Sequence, residues 1–249
     1  MAALKSTLRQ LLLFLGFLLI WQEIISLFHL PSYILPTPWQ VLHALTQHSG
    51  LILRETIPTI IETILGLLLG IIFGGCTGFL LAFSHRFSHW LLPVLIISQV
   101  IPTFAIAPIL VIWFGYGLAS KIAITVLMLF FPVTSSFYDG LRRTNPGWLD
   151  LAKIMNASKW RTFWHIRVPA ALPAVATGIR LCAVIAPIGA IVGEWVGSSA
   201  GLGYLMLNAN ARMQIDMMFA VLIVIVVLAL CLYFSVDALL RRIIYWERV

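Results

Sequence analysis

Charge is what this 249-residue sequence has least of. Only 10% of its residues are Asp, Glu, Lys or Arg, whereas 61% are hydrophobic. An average soluble domain carries about a quarter charged residues, so this composition excludes an ordinary water-soluble protein. Cysteine is also scarce. Cys76, Cys182 and Cys231 each lie inside an apolar run and form no C-x-x-C or His-rich motif, which predicts small buried residues and not metal ligands.

Motifs of several enzyme classes are missing as well. The sequence has no G-x-x-x-x-G-K-[ST] loop to hold ATP phosphates. It has no H-E-x-x-H or G-x-S-x-G motif, and its histidines avoid the centres of the apolar runs. An intramembrane protease or lipid transferase would need such a nucleophile–base pair or metal ligands. We therefore predict that this chain is not an enzyme and binds neither a cofactor nor a metal itself.

Six apolar windows are long enough to cross a bilayer, whose hydrocarbon core of about 30 Å needs roughly 20 apolar residues per helix. Helices are predicted because an open sheet would leave backbone groups unpaired in lipid, and barrel strands alternate polar and apolar residues. The first window follows Lys5 and Arg9, as in a signal peptide, but it is too long and lacks a small-residue cleavage site, so we expect a retained helix. The prediction is one all-α membrane domain over residues 1–249, with spans at about 8–28, 57–83, 90–114, 119–138, 170–197 and 216–236.

Basic residues are distributed unevenly between the two sides of these spans. With a cytoplasmic N-terminus, twelve fall inside and three outside. Lysine and arginine accumulate in cytoplasmic joints, so we expect both termini in the cytoplasm. The net charge of +7 then reflects orientation in the lipid bilayer and not binding of nucleic acid. The inner set is Lys5, Arg9, Arg86, Arg142, Arg143, Lys153, Lys159, Arg161, Arg167, Arg241, Arg242 and Arg248, and the outer set is Arg54, Lys121 and Arg212.

Two smaller patterns concern helix packing. Apolar residues in the outer loop 29–56 predict a short amphipathic helix at the membrane interface, which explains the histidines there better than a metal site does. Glycine recurs every fourth residue in the second span, which predicts close approach of another helix. The loop residues are Trp39, Val41, Leu42 and Leu45, with His29, His43 and His48, and the glycines are Gly66, Gly70, Gly74 and Gly78.

The longest predicted cytoplasmic joint, residues 139–169, reads DGLRRTNPGWLDLAKIMNASKWRTFWHIRVP. Pro146 suits the first turn of a helix, and apolar residues at helical spacing follow it. A second short helix is expected after Asn156. Aromatic residues on one face and basic residues on the other suit docking to a partner protein, and equally a hairpin resting on lipid headgroups. These residues by themselves leave both alternatives open.

Part of this joint resembles a family signature. Asp150-Leu151-Ala152, three residues, Asn156, nine residues and Ile166-Arg167-Val168-Pro169 resemble the E-A-A, G, I-x-L-P signature of permeases in binding-protein-dependent ABC importers. Asp150 replaces the usual Glu, and Asn156 replaces a Gly. Asn is the non-glycine residue that best tolerates left-handed backbone. The stretches IPTFAIAPILVIWFGYGLASKI and GAIVGEWVGSSAGLGYLM are also similar to permeases for sulfonates, taurine, nitrate and thiamine precursors.

The resemblance implies a type I-like permease and a set of partners. In this family the joint is a coupling helix that fits a groove of a cytoplasmic ATPase. The implied partners are two copies of that ATPase subunit, which use ATP and Mg²⁺, a periplasmic substrate-binding protein and a second permease copy, in a bacterial inner membrane. The residues assigned to coupling are Asp150, Leu151, Ala152, Asn156, Trp160, Ile166 and Pro169.

Prolines and charges inside the spans indicate where the transport pathway lies. Prolines are expected to interrupt the third and fifth spans, and broken backbone at membrane depth lines a cavity or is buried in protein. Polar residues beside them are candidates to contact substrate or, more conservatively, to bond a neighbouring helix. Arg180 is expected to pair with Glu62 or attract an anion, and Glu194 to form a structural pair or an outer gate. The candidate pore or gate residues are Gln99, Pro102, Thr103, Pro108, Arg180, Pro187 and Glu194.

The prediction of the substrate depends on resemblance alone. The string EWVGSSAGLGYLMLNANARMQIDMMFA is most similar to permeases for hydroxymethylpyrimidine-like thiamine precursors, with import of sulfonate, taurine or nitrate as the alternative. An ion-coupled secondary transporter is a more distant alternative. Such carriers usually show an internal repeat and buried acidic residues near the midplane, and only Glu62 fits that description.

Overall fold

A computed structural model defines residues 2–83 and 85–246, apart from the side chains of residues 2–7, 10, 11, 14, 83 and 85. Within these residues all regular secondary structure is helical. A π-helical segment, Phe163–Arg167, leads directly into the ninth helix. The helices are α1 Ala2–Phe28, α2 Pro38–Gln47, α3 Ser49–Phe83, α4 His85–Val100, α5 Thr103–Phe114, α6 Leu118–Arg142, α7 Pro146–Ile154, α8 Lys159–Thr162, α9 Val168–Gly197, α10 Leu202–Ala211 and α11 Ile215–Ile243.

Helices occupy all six predicted windows. By length and apolar composition, four helical runs of the described chain can cross a membrane: Ser49–Ala82, Leu118–Arg142, Lys159–Gly197 and Ile215–Ile243. The pair α4 and α5 makes a fifth if it is one span, although it bends by 99°. The apolar part of α1, Leu15–Phe28, is shorter than these runs. The prediction of an all-α membrane protein is confirmed.

Helix breaks coincide only partly with the prolines that predicted them. The third span does break before Pro102, which precedes α5. However, α5 continues through Pro108, and α9 continues through Pro187. The predicted interruptions at these two prolines are wrong, because a helix packed in a bundle can lose one backbone hydrogen bond and remain helical.

The centre of the bundle is α6, which packs between α3 and α9. The predicted glycine stripe of α3 faces it, with Gly66 against Thr125 and Gly70 against Leu129. The Thr134 hydroxyl of α6 donates a hydrogen bond of 3.1 Å to the Gly74 carbonyl. Small residues allow this approach of the two backbones. The predicted role of the stripe in close helix packing is confirmed.

Neighbouring glycines on α3 provide a direct test of this packing. A Cβ atom on Gly74 would lie 2.7 Å from the Val133 Cβ, whereas one on Gly75 would have nothing within 4 Å. We therefore expect Gly74→Ala to destabilise the protein by about 1–3 kcal/mol through overpacking. The matched Gly75→Ala should be neutral or slightly stabilising, since Ala favours helix over Gly. Thermal unfolding of both variants in detergent measures the difference, and equal stabilities would contradict the expectation.

The outer-loop helix is also present. Thr37 and Gln40 form a capping box at the start of α2. Val41 and Ala44 are buried in one cluster with Met217 and Val221 of α11, while Trp39 is exposed. The prediction of a short helix is confirmed, but part of its apolar face packs on α11 instead of on the membrane.

Predictions about single side chains had mixed outcomes. Cys182 is buried as expected, but Cys76 and Cys231 are exposed on the outside of the bundle, so their predicted burial is wrong. A bilayer hides such surfaces without any protein contact. Among the basic residues used for orientation, the side chain of Lys5 and the whole of Arg248 lie outside the described residues.

Candidate functional site

The joint between α6 and α9 folds as two short helices around a left-handed turn. Asn156 has a φ of 52°. The backbone amide of Asn156 donates to the Lys153 carbonyl at 3.0 Å, and the backbone amide of Ala157 donates to the Ala152 carbonyl at 2.9 Å. This pair of hydrogen bonds is the Schellman helix ending, which requires a left-handed residue at the position of Asn156. Ser158 then accepts from the Arg161 amide and caps α8.

Buried contacts attach this joint to both central helices. Phe163 is buried in one cluster with Leu141 of α6 and Ala171 of α9. The Arg167 guanidinium donates a hydrogen bond of 3.0 Å to the Leu141 carbonyl and lies 6.0 Å from the centroid of the Phe163 ring. These contacts connect the joint to both α6 and α9.

The other side of the joint is an exposed apolar surface. Leu151 is 55% exposed, Ile154 78% and Met155 72%. An open groove of about 610 Å³ runs beside them and contains four of the predicted coupling residues, Leu151, Ala152, Ile166 and Pro169, together with Trp246. A contiguous exposed apolar surface of this kind marks a site of interaction with a protein or with a membrane.

The remaining coupling candidates surround this groove. Trp160 lines a second groove of about 690 Å³ beside Lys153 and Lys159. Asp150 is exposed and forms an ion pair with Lys153 at 2.9 Å, and Asn156 makes the turn. Trp246 was missed by sequence reasoning, because no sequence spacing relates it to a joint some 90 residues earlier.

A polar cluster is buried at the opposite end of the bundle, where α3, α6, α9 and α10 meet. Lys121 at the start of α6 donates to Glu62 of α3 at 2.7 Å, and both side chains are almost fully buried. One oxygen of Glu194, Oε1, accepts from the Thr59 hydroxyl at 2.6 Å. Its other oxygen, Oε2, accepts from the Gly203 amide at 2.5 Å.

Two glutamates thereby hold the N-terminus of α10. Besides the bond from Gly203 to Glu194, the Gly201 amide donates to Glu55 Oε2 at 2.7 Å, and the Leu202 amide donates to the Thr59 hydroxyl at 2.9 Å. The first amides of a helix lack partners within the helix and favour negative charge. We call this set of residues, Glu55, Thr59, Glu62, Lys121 and Glu194 with the first amides of α10, the α10 clamp.

Arg180 does not belong to the clamp. It donates to Asp237 of α11 at 2.7 Å, and Asp237 also accepts from Arg241 at 2.9 Å. The expected pairing of Arg180 with Glu62 is therefore wrong. The hydropathy pattern placed Lys121 in a loop on the outer side. It does not show which face of each helix points inward, so Lys121 was not recognised as the partner of Glu62.

The seven pore or gate candidates do not form one site. Gln99, Pro102 and Thr103 lie around the bend between α4 and α5, and Pro108 is exposed on α5. Pro187 and Glu194 are buried within α9. Their contribution to a transport pathway stays a prediction.

The architecture is a membrane-embedded helical bundle with a two-helix segment, residues 139–169, between α6 and α9. Residues 62–245 match the family described as "Binding-protein-dependent transport system inner membrane component", and the chain belongs to this family. It is a membrane-embedded permease subunit of an ABC importer. Such permeases work with an ATPase and with a substrate-binding protein.

Individual relatives agree with this assignment. A "Probable ABC transporter permease protein" of Haemophilus influenzae is 55% identical over 97% of this chain and 99% of its own length. The "Formylaminopyrimidine transport permease protein ThiX" of Halalkalibacterium halodurans is 39% identical over 63% of this chain and 62% of its own length. Permeases named for riboflavin in Chloroflexus aurantiacus, aliphatic sulfonates in Bacillus subtilis and taurine in Escherichia coli match at 35%, 32% and 30% identity.

A solved structure shows the same fold. A chain of the MetNI methionine ABC transporter in an inward-facing conformation superposes with a TM-score of 0.65 at 17% identity, covering 84% of this chain and 98% of that one.

Proposed function

We propose that two copies of this chain form the membrane pathway of an importer for a thiamine-precursor pyrimidine, driven by two cytoplasmic ATPase subunits. The observation that carries the coupling role is the joint of residues 139–169. It is a helix–turn–helix that contacts α6 and α9 through Phe163 and Arg167. An ATPase that closes on it moves both central helices at once. A chain with a single joint of this kind needs a second copy to engage two ATPase subunits symmetrically.

The charge distribution supports an inner-membrane orientation with this joint in the cytoplasm. Arg142, Arg143, Lys159 and Arg161 are exposed at the end of the bundle that carries the joint. At the opposite end, Lys121 is neutralised in its pair with Glu62. Arg54 and Arg212 are exposed away from the joint, so exposed basic side chains are more numerous at the end that carries the joint, as expected for a cytoplasmic side.

For the substrate, the support is similarity in sequence. Of the relatives described above whose names give a substrate, the formylaminopyrimidine permease shares 39% identity with this chain. Permeases named for riboflavin, sulfonates and taurine follow at lower identity. The substrate class that we propose is therefore a pyrimidine that serves as a precursor of thiamine. A periplasmic binding protein delivers it.

Reconstitution tests this proposal. Proteoliposomes containing the permease with its copurified ATPase and binding protein should accumulate radiolabelled hydroxymethylpyrimidine or formylaminopyrimidine when ATP is enclosed. We expect uptake at least about tenfold above that of taurine or an aliphatic sulfonate, which corresponds to roughly 1.4 kcal/mol of discrimination. Liposomes without ATP are the control. ATP-driven uptake of taurine in preference to pyrimidines would overturn the substrate but retain the importer, and uptake driven by an ion gradient would overturn both.

A further inference from the structure

The α10 clamp contains more acidic than basic side chains in a place that water does not reach. Glu62, Glu194 and Lys121 are at most 7% exposed. Two charged groups lie beside the Glu62–Glu194 pair. One is Lys121 on α6, and the other is Glu55, two turns before Glu62 on α3. From α10, the Gly203 amide donates to Glu194 and the Gly201 amide donates to Glu55. Two buried carboxyl groups thus share one buried ammonium group, and a surplus of buried negative charge is costly unless something neutralises it.

One atom in this cluster lacks a partner. Glu62 Oε1 accepts from Lys121, whereas Glu62 Oε2 is buried and has no hydrogen-bond donor among the described residues. An unsatisfied buried carboxylate oxygen costs more than an unsatisfied neutral acceptor. The oxygen Glu62 Oε2 therefore needs a hydrogen-bond donor or a cation beside it.

The geometry also brings the carboxyl group of Glu194 to this atom. Thr59, which donates to Glu194, lies three residues before Glu62 and on the same face of α3. Gly193 of α9 lies against Lys121, so α9 reaches the ion pair at the position next to Glu194. The carboxyl groups of Glu62 and Glu194 therefore face the same buried space between α3 and α9. Two ionised carboxylates that share one buried space repel each other, and one of them is stabilised by taking up a proton.

We propose that the Glu62–Glu194 pair binds one proton, carried by Glu194 and donated to Glu62 Oε2. Glu62 stays ionised because Lys121 is bonded to its other oxygen. The proton supplies the missing donor and removes the repulsion between the two carboxyl groups. The oxygens of Glu194 keep lone pairs that accept from Thr59 and Gly203, so the proton does not disturb the bonds that hold α10.

The proposal makes the attachment of α10 dependent on pH. When the proton leaves, Glu62 and Glu194 repel each other, and the carboxyl group that holds the Gly203 amide is pushed from its position. A group that is neutral in the folded protein contributes its full stability at low pH and loses it as the pH rises. The fold at the α10 end should therefore weaken in alkaline solution.

Two measurements on the full-length permease copurified with its ATPase test whether the Glu62–Glu194 pair binds a proton. In the wild-type protein with ¹³C-labelled glutamate, infrared spectroscopy at neutral pH should show the carbonyl stretch of a protonated glutamic acid. Thermal stability should fall as the pH rises above about 5, because glutamate in the unfolded chain has then released its proton while the folded pair still holds it. In Glu194→Gln the band should be absent and the pH profile flat, since the amide of Gln donates to Glu62 without titrating.

The infrared band needs no variant, so the proposal remains testable if Glu194→Gln does not fold. Absence of a protonated glutamate band in the folded wild-type protein would overturn it. A pH profile of Glu194→Gln identical to that of the wild type would do the same. Stabilisation of the wild type by sodium relative to N-methylglucamine at equal ionic strength would instead show that a cation occupies the site, and it would refute the proposal of a bound proton.

Discussion

Leu151→Asp is expected to release the ATPase from the permease. Leu151 projects from α7 into the exposed groove of the joint, and a charge there has to be desolvated when a partner covers the groove. Central apolar contacts in an interface are worth about 2 kcal/mol or more, so affinity should fall by roughly 30-fold or more. Copurification of the ATPase and ATP-driven uptake in proteoliposomes measure the loss.

Leu42→Asp is the matched control for this substitution. Leu42 is 50% exposed on α2, close to the 55% of Leu151, and α2 lies with α10 at the other end of the bundle. The control should retain the ATPase. If both variants retain it and Leu151→Asp still transports, the joint of residues 139–169 is not the coupling surface.

Lys121→Met is expected to cause the largest loss of stability. Removing the ammonium group leaves Glu62 buried without its cation, and breaking one partner of a buried ion pair typically costs about 3–5 kcal/mol. Thermal unfolding in detergent should show a clearly lowered midpoint and a reduced yield of folded protein.

Lys153→Met provides the control for this effect, because Lys153 is paired with Asp150 on an exposed surface. Exposed pairs contribute about 0–1 kcal/mol. The double variant Lys121→Met with Glu62→Gln should recover most of the lost stability, since neither partner then carries a charge. A single Lys121→Met variant as stable as the wild type would show that Glu62 does not depend on the lysine.

The coupling joint was predictable because its information is local. Pro146, Asn156 and Ser158 each act within a few residues, through the first turn of a helix, a left-handed helix ending and a helix cap. The apolar residues between them follow helical spacing. Such features depend on neighbours along the chain, so their positions in the sequence are sufficient.

The α10 clamp was not predictable in the same way. Glu62 and Lys121 are 59 residues apart, and Thr59 and Glu194 are 135 apart. Their pairing depends on how α3, α6 and α9 are rotated about their axes, and hydropathy does not encode that rotation. The same limitation explains why Arg180 was matched with Glu62 although it bonds Asp237, and why unbroken helices through Pro108 and Pro187 were not expected.

By itself, the sequence determined that this protein is a helical membrane protein with a two-helix segment at residues 139–169, and its resemblance to a family of permeases indicated the class. Long apolar runs, basic flanks and short-range helix signals are properties of consecutive residues. Only the tertiary structure decided which charges meet, where α10 is held and which face of the joint is exposed. Those outcomes arise because glycines such as Gly70 let α6 approach α3 closely, and that approach sets which side chains from distant segments become neighbours.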